Sequence, residues 1–231
     1  MIVLRALGAL LSYPQEEIRQ ALPEIAEAIR ASQMIPAPQR EDLLTLIDEL
    51  AGDLLKVEER YVELFDRGRA ASLHLFEHLH GEGRDRGQAM VDLKRLYERA
   101  GYELSSSELP DYLPVVLEYL SCRNLRETRE LLGDCAHILR RIGQSLIARD
   151  SCYAAVLQTL LVIAGEDPID IAAVPRVPER IENLDREWFE QPAFGGEPFT
   201  SASSVRNASP AAVASGNASR TDESGGSHVV R

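Results

Sequence analysis

Leu43-Leu44-Thr45-Leu46-Ile47-Asp48-Glu49-Leu50-Ala51-Gly52-Asp53-Leu54-Leu55-Lys56-Val57-Glu58-Glu59-Arg60-Tyr61-Val62-Glu63-Leu64 decides the fold. Positions 43, 47, 50, 54, 57, 61 and 64 are Leu, Ile, Leu, Leu, Val, Tyr and Leu, and this alternating spacing of four and three predicts one apolar seam along a helix of about seven turns. Pro38 suits the first turn of that helix, where a missing backbone N–H costs nothing.

The same period continues outward. Leu125, Leu132, Cys135, Leu139, Ile142 and Leu146 predict a second long helix. Asp85 to Gln88 spells a capping box, which predicts a helix from Arg86 to Ala100 that stops at Gly101 and buries Met90, Leu93, Tyr97 and Ala100. Asp111 is expected to cap a short helix holding Val115, Val116, Tyr119 and Leu120, with Pro114 tolerated in its first turn. Near the start, Ser12 and Pro14 are expected to open a helix that Pro23 interrupts or restarts. The apolar run from Cys152 to Ala164 falls short of the roughly 20 residues that span a bilayer and reads as a central buried helix.

No stretch alternates with period two over a strand's length, so the expected fold class is all-α, a single-domain helical bundle over residues 1–191. From 192 the composition turns to Gly, Ser, Ala and Asn with few large apolar groups. Such a segment cannot bury enough surface to offset the entropy of ordering it, and 192–231 is expected to be a disordered low-complexity tail.

A chain of 231 residues with 45% hydrophobic content can build one sizeable core. Its net charge of -12 argues against nucleic acid as a partner, since that affinity comes from Lys and Arg on phosphates, and it favours a basic partner instead. Cys122, Cys135 and Cys152 lack CxxC spacing and lie in apolar helical patterns, so they are expected to be buried thiols of a reducing compartment. The opening residues Met1 to Leu11 lack the basic region and cleavage site of a signal peptide. A cytoplasmic location is expected, without direct membrane insertion.

The unusual stretch is Tyr61 to Met90, with three His, four Arg and four Gly in thirty positions of an otherwise Leu/Ala/Glu-rich chain. His74-Leu75-Phe76-Glu77-His78 is a literal HxxEH, which could place two imidazoles on one helix face to hold zinc beside a glutamate base. A zinc-dependent hydrolase is therefore the alternative function, although no third ligand among Glu118, Glu127 and Glu130 is singled out. Gly81 to Gly87 leads into a helix start and could hold an anion with Arg84 and Arg86, yet it matches neither the Rossmann fingerprint nor a P-loop. The plainer reading makes the histidines hydrogen-bonding supports and pairs the arginines with Asp66, Glu77 or Glu82.

Residues 61 to 93, YVELFDRGRAASLHLFEHLHGEGRDRGQAMVDL, resemble the hallmark segment of the NarJ family, the delta chain or molybdenum cofactor assembly chaperones of respiratory nitrate reductase. Leu7 to Pro14 resembles the family's N-terminal segment, and Glu108-Leu109-Pro110-Asp111-Tyr112-Leu113-Pro114 resembles its second short motif. The resemblance covers about residues 1 to 195 and implies an all-helical, noncatalytic chaperone with no cofactor of its own. It implies as partner the nitrate reductase catalytic (alpha) subunit, including its N-terminal segment, held competent for molybdenum cofactor insertion before membrane assembly. Molybdenum cofactor delivery proteins are further implied partners.

An acidic helical body with an apolar groove suits helix-in-groove recognition of a basic amphipathic segment. Tyr61, Leu64, Phe65, Leu75 and Tyr119 are expected to line or support that groove. Asp66, Arg67, Arg69, His74, His78, Arg84, Asp85 and Arg86 are expected to set its polar edge.

Overall fold

The computed structural model describes residues 1–79, 84–104 and 108–176, and the regular elements among them are helical. In chain order they are α1 (Ile2–Leu11), α2 (Glu16–Ala31), α3 (Ala37–Leu50), α4 (Leu54–Phe65), a 3-10 turn (Arg69–Ala71), α5 (Leu75–Leu79), α6 (Arg84–Arg99), α7 (Leu113–Ser121), α8 (Leu125–Asp134), α9 (Ala136–Ala148), α10 (Ala154–Ala164) and a second 3-10 turn (Ile171–Ala173). Extended pairing among the described residues is confined to one antiparallel bridge, His74 with Tyr112. The expected tail, 192–231, and the expected domain end at 191 lie outside the described residues.

Hydrophobic period explains the core. α10 is apolar on nearly every side, interrupted only by the buried Gln158 and Thr159, with Leu157, Leu160 and Leu161 fully buried, and it packs against α9, α8 and α3. α1 buries Val3, Leu4, Leu7, Leu10 and Leu11, and its main neighbour is α7, with α2 beside it. The contact with α7 is close because residue 8 is Gly: a Cβ there would stand 3.3 Å from the Pro114 carbonyl oxygen and 3.4 Å from the Leu117 Cβ.

Several sequence expectations need correction. The seam from Leu43 to Leu64 is two helices, because Ala51 and Gly52 end α3 and the Asp53 side chain caps α4 by accepting the Leu55 amide at 3.1 Å. The second seam likewise divides at Cys135, whose φ of -93° and ψ of 1° separate α8 from α9. The apolar start is itself a helix, α2 begins at Glu16, and Pro23 sits inside α2 without breaking it. Asp85 lies in the first turn of α6 rather than ahead of it. α6 does end as expected, at Gly101 with φ +81°, where the Tyr102 amide reaches back to the Tyr97 carbonyl at 2.9 Å. Of the three thiols, Cys122 is exposed and the other two are half-buried. No helix among the described residues is long and apolar enough to cross a membrane.

Candidate functional site

The last turns of α4 turn Tyr61, Leu64 and Phe65 inward, and the chain then crosses a short loop to Leu73 and His74. That loop is fastened from below. Arg149 donates to the Leu64 carbonyl at 3.3 Å, and Arg60 donates to the Arg149 carbonyl at 3.0 Å, tying the end of α4 to the end of α9.

Leu73 and Leu75 flank the bridge to the segment before α7: the Leu113 amide donates to the Leu73 carbonyl at 2.9 Å, and the Leu75 amide donates to the Asp111 carbonyl at 3.1 Å. The Asp111 side chain, with no exposed surface, accepts the Phe76 amide at 3.1 Å and meets His74 Nδ1 at 3.2 Å. Asp111 therefore does not cap α7, as its position in sequence implied; its carboxylate serves the start of α5, and the α7 N-cap, Tyr112, makes no side-chain cap bond. The hydrogen bond to Asp111 raises the His74 pKa above the ordinary histidine value, against the opposing effect of burial.

From His74 the contacts continue to the N-terminal segment. Its ring lies 5.3 Å from the Tyr112 ring, and the Tyr112 hydroxyl is 3.1 Å from that of Tyr61. Tyr61 donates its own proton to the Leu11 carbonyl at 2.8 Å, so Tyr112 is the donor toward Tyr61. The Tyr61 ring also meets Tyr13 edge-on at 5.4 Å and Phe65 at 4.7 Å. Leu11 to Tyr13, Tyr61 to His74 and Asp111 to Tyr112 come from three distant parts of the chain, and one aromatic and hydrogen-bonded set joins them.

Tyr112 and Tyr13 face outward from this set into a groove of about 440 Å³. α1 supplies Gly8 and Ala9 to its surface, α2 supplies Ile18, and α7 supplies Pro114 and Val115. Arg5, Glu108 and Glu118 add charge. Gly8 and Pro114 meet at its floor, and the half-buried Ala9 and Val115 beside them offer an apolar surface to another molecule.

The residues expected to form the site divide by exposure. Tyr61, Leu64, Phe65, Leu75 and Tyr119 are buried and stand behind the surface as supports. Tyr119 belongs to a separate cluster, 4.7 Å from Tyr97 and 5.5 Å below the Arg123 guanidinium. Asp66, Arg67, Arg69 and Asp85 are exposed, whereas His74, His78 and Arg86 are half-buried. Arg86 pairs with Glu77 at 3.3 Å, one of the partners foreseen for it. Of Arg84 only the backbone, at the start of α6, is described, and Gly81 and Gly83 of the expected anion loop lie outside the described residues.

The HxxEH pattern does not make a helical histidine pair, because α5 begins at Leu75, after His74. Each imidazole also has a protein partner: His74 faces Asp111, and His78 Nε2 donates to the Ser72 carbonyl at 2.9 Å. Among the described residues no group of three or more His, Cys, Asp or Glu is gathered to hold a metal ion. The groove residues Arg5, Val115 and Glu118 escaped sequence reasoning as site residues, whereas Gly8 and Ala9 lie within the family-like segment Leu7 to Pro14. Tyr13 and Tyr112 had a signal, since both lie in the short segments that carried the family resemblance.

Comparison with known proteins agrees. A family model described as "Nitrate reductase delta subunit" matches residues 13–157. The chain is 47% identical over 166 residues to the nitrate reductase molybdenum cofactor assembly chaperone NarJ of Escherichia coli (strain K12), covering 71% of this chain and 70% of that protein. It is 41% identical over 196 residues to the probable chaperone of the same description, NarW, of that organism, covering 83% and 82%. A probable NarJ of Bacillus subtilis (strain 168) is 35% identical over 162 residues, covering 69% and 86%.

Proposed function

Because the chain belongs to the nitrate reductase delta subunit family, we propose that it is a cytoplasmic chaperone for an immature nitrate reductase, acting by binding rather than by turnover. Its client is the catalytic subunit before the molybdenum cofactor is inserted. The contact includes that subunit's N-terminal segment, taken as an amphipathic helix into the groove between α1 and α7.

The observation that carries this reading is the convergence of the three family-like segments on the Tyr61–Tyr112 contact at the edge of that groove. A surface built jointly by residues far apart in sequence, with buried aromatics behind it, is a preorganised binding wall. The exposed Asp66, Arg67, Arg69 and Asp85 are assigned to the polar edge of the client site, and the buried Tyr61, Leu64, Phe65 and Leu75 to its support from behind. A chaperone must also release its client, so an affinity of about -8 kcal/mol, in the micromolar range, fits the task.

Titration calorimetry of the full chain with the N-terminal peptide of the cognate catalytic subunit tests this. Micromolar binding that Val115→Glu abolishes, with the helical circular-dichroism signal retained, supports the groove. An affinity indifferent to Val115→Glu removes it.

A further inference from the structure

Arg5 and Glu118 both line the groove and both are exposed, one on α1 and the other on α7. Among the described residues neither takes part in an ion pair. Other charges, such as Arg60 with Glu63 and Arg123 with Glu127, are engaged along their own helices, whereas Arg5 and Glu118 stay available to a ligand in the groove. Arg5 is also the one cation lining this groove among the described residues, on a chain whose net charge is -12.

We propose that Arg5 and Glu118 are specificity-determining residues that fix the direction in which a client helix lies in the groove. An amphipathic helix that turns its apolar stripe to the floor presents one flank to α1 and the other to α7. Reversing the helix end for end exchanges the flanks. With a cation on one wall and an anion on the other, a helix with an acidic and a basic flank fits in one direction and meets like charges in the other. The occupant is thus a helix of the client protein with an acid toward Arg5 and a base toward Glu118. This inference rests on the client-binding reading above and names what that site selects.

The test uses the full-length chain at low salt with the N-terminal peptide of the cognate catalytic subunit and a panel in which each peptide Lys or Arg is exchanged singly for Glu. Arg5→Glu and Glu118→Arg are each expected to weaken the parent peptide by about fivefold to tenfold, an effect that fades at high salt. Glu17→Arg, at an exposed position of α2 that does not line the groove, should bind like the wild type. One member of the panel should prefer Glu118→Arg to the wild type, a rescue that loss of structure cannot produce. If the parent peptide binds the wild type and both reversals equally, and no panel member prefers Glu118→Arg, the charge pair is refuted while client binding stands. If the peptide does not bind the wild type, the client reading itself fails. A photo-crosslinker on the exposed Cys122, the residue after Ser121 at the end of α7, should capture the peptide. Capture of residues 177–231 or of a second copy in its place would give the groove to another occupant and overturn the proposal.

Discussion

The buried carboxylate of Asp111 accepts the backbone amide of Phe76 at 3.1 Å, so it caps a helix 35 residues earlier in the chain rather than the helix it precedes. This places the hallmark segment and the second short motif under one side chain. Asp111→Ala should leave the Phe76 amide without its acceptor and His74 without its partner, and cost about 2–4 kcal/mol. Urea denaturation measures it, and an unchanged midpoint would show that the carboxylate holds nothing.

His74 gives stability a pH dependence of definite sign. Its pKa is raised in the folded chain by Asp111, so its contribution is complete below the unfolded value near 6.5. It is lost as pH rises through the higher folded value. His74→Gln should therefore narrow the stability difference from wild type as pH is taken from about 6 to above the folded pKa. Urea midpoints across that range check this, and a gap that widens with pH contradicts it.

The legible part of this fold was the helical period, and the hidden part was everything that depends on two helices meeting. A four-three spacing passes through a three-residue interruption without losing phase, which is why α3 and α4 read as one helix. Gly52 and Asp53 were the local sign of the break, a chain stop followed by a cap. Asp111 was a sound local capping candidate, but a partner distant in sequence takes its carboxylate. The groove was not visible because Gly8 and Ala9 look like ordinary small helical residues until α1 is known to cross α7 at Pro114 and Leu117. Tyr61 and Leu64 were found because they fall on the periodic apolar seam, yet periodicity could not say that they stand behind the surface.

Gly8→Leu tests the crossing. The added side chain begins where a Cβ already lies 3.3 Å from the Pro114 carbonyl oxygen, so α1 and α7 must separate, at a cost of about 1–3 kcal/mol. Thermal melting should show the loss, and calorimetry should show weaker peptide binding. A variant as stable as the wild type would mean that this contact yields easily.

The thiols should react in a fixed order. Ser121 and Tyr102 hydrogen bonds lower the Cys122 pKa, whereas burial pushes Cys135 up to about 11 and Cys152 up to about 12. Mass spectrometry after brief maleimide treatment at neutral pH should find label on Cys122 first. Label appearing first on Cys152 would contradict the observed exposure.

The central claim is that this molecule recognises a nitrate reductase catalytic subunit before its molybdenum cofactor arrives. The most direct measurement is capture of that subunit by the full-length chain from cells with and without functional cofactor synthesis, followed by quantification of the bound subunit and its molybdenum. The account predicts strong capture of the unloaded subunit and little of the loaded one. Equal capture of both, or no capture of the unloaded subunit, would contradict it.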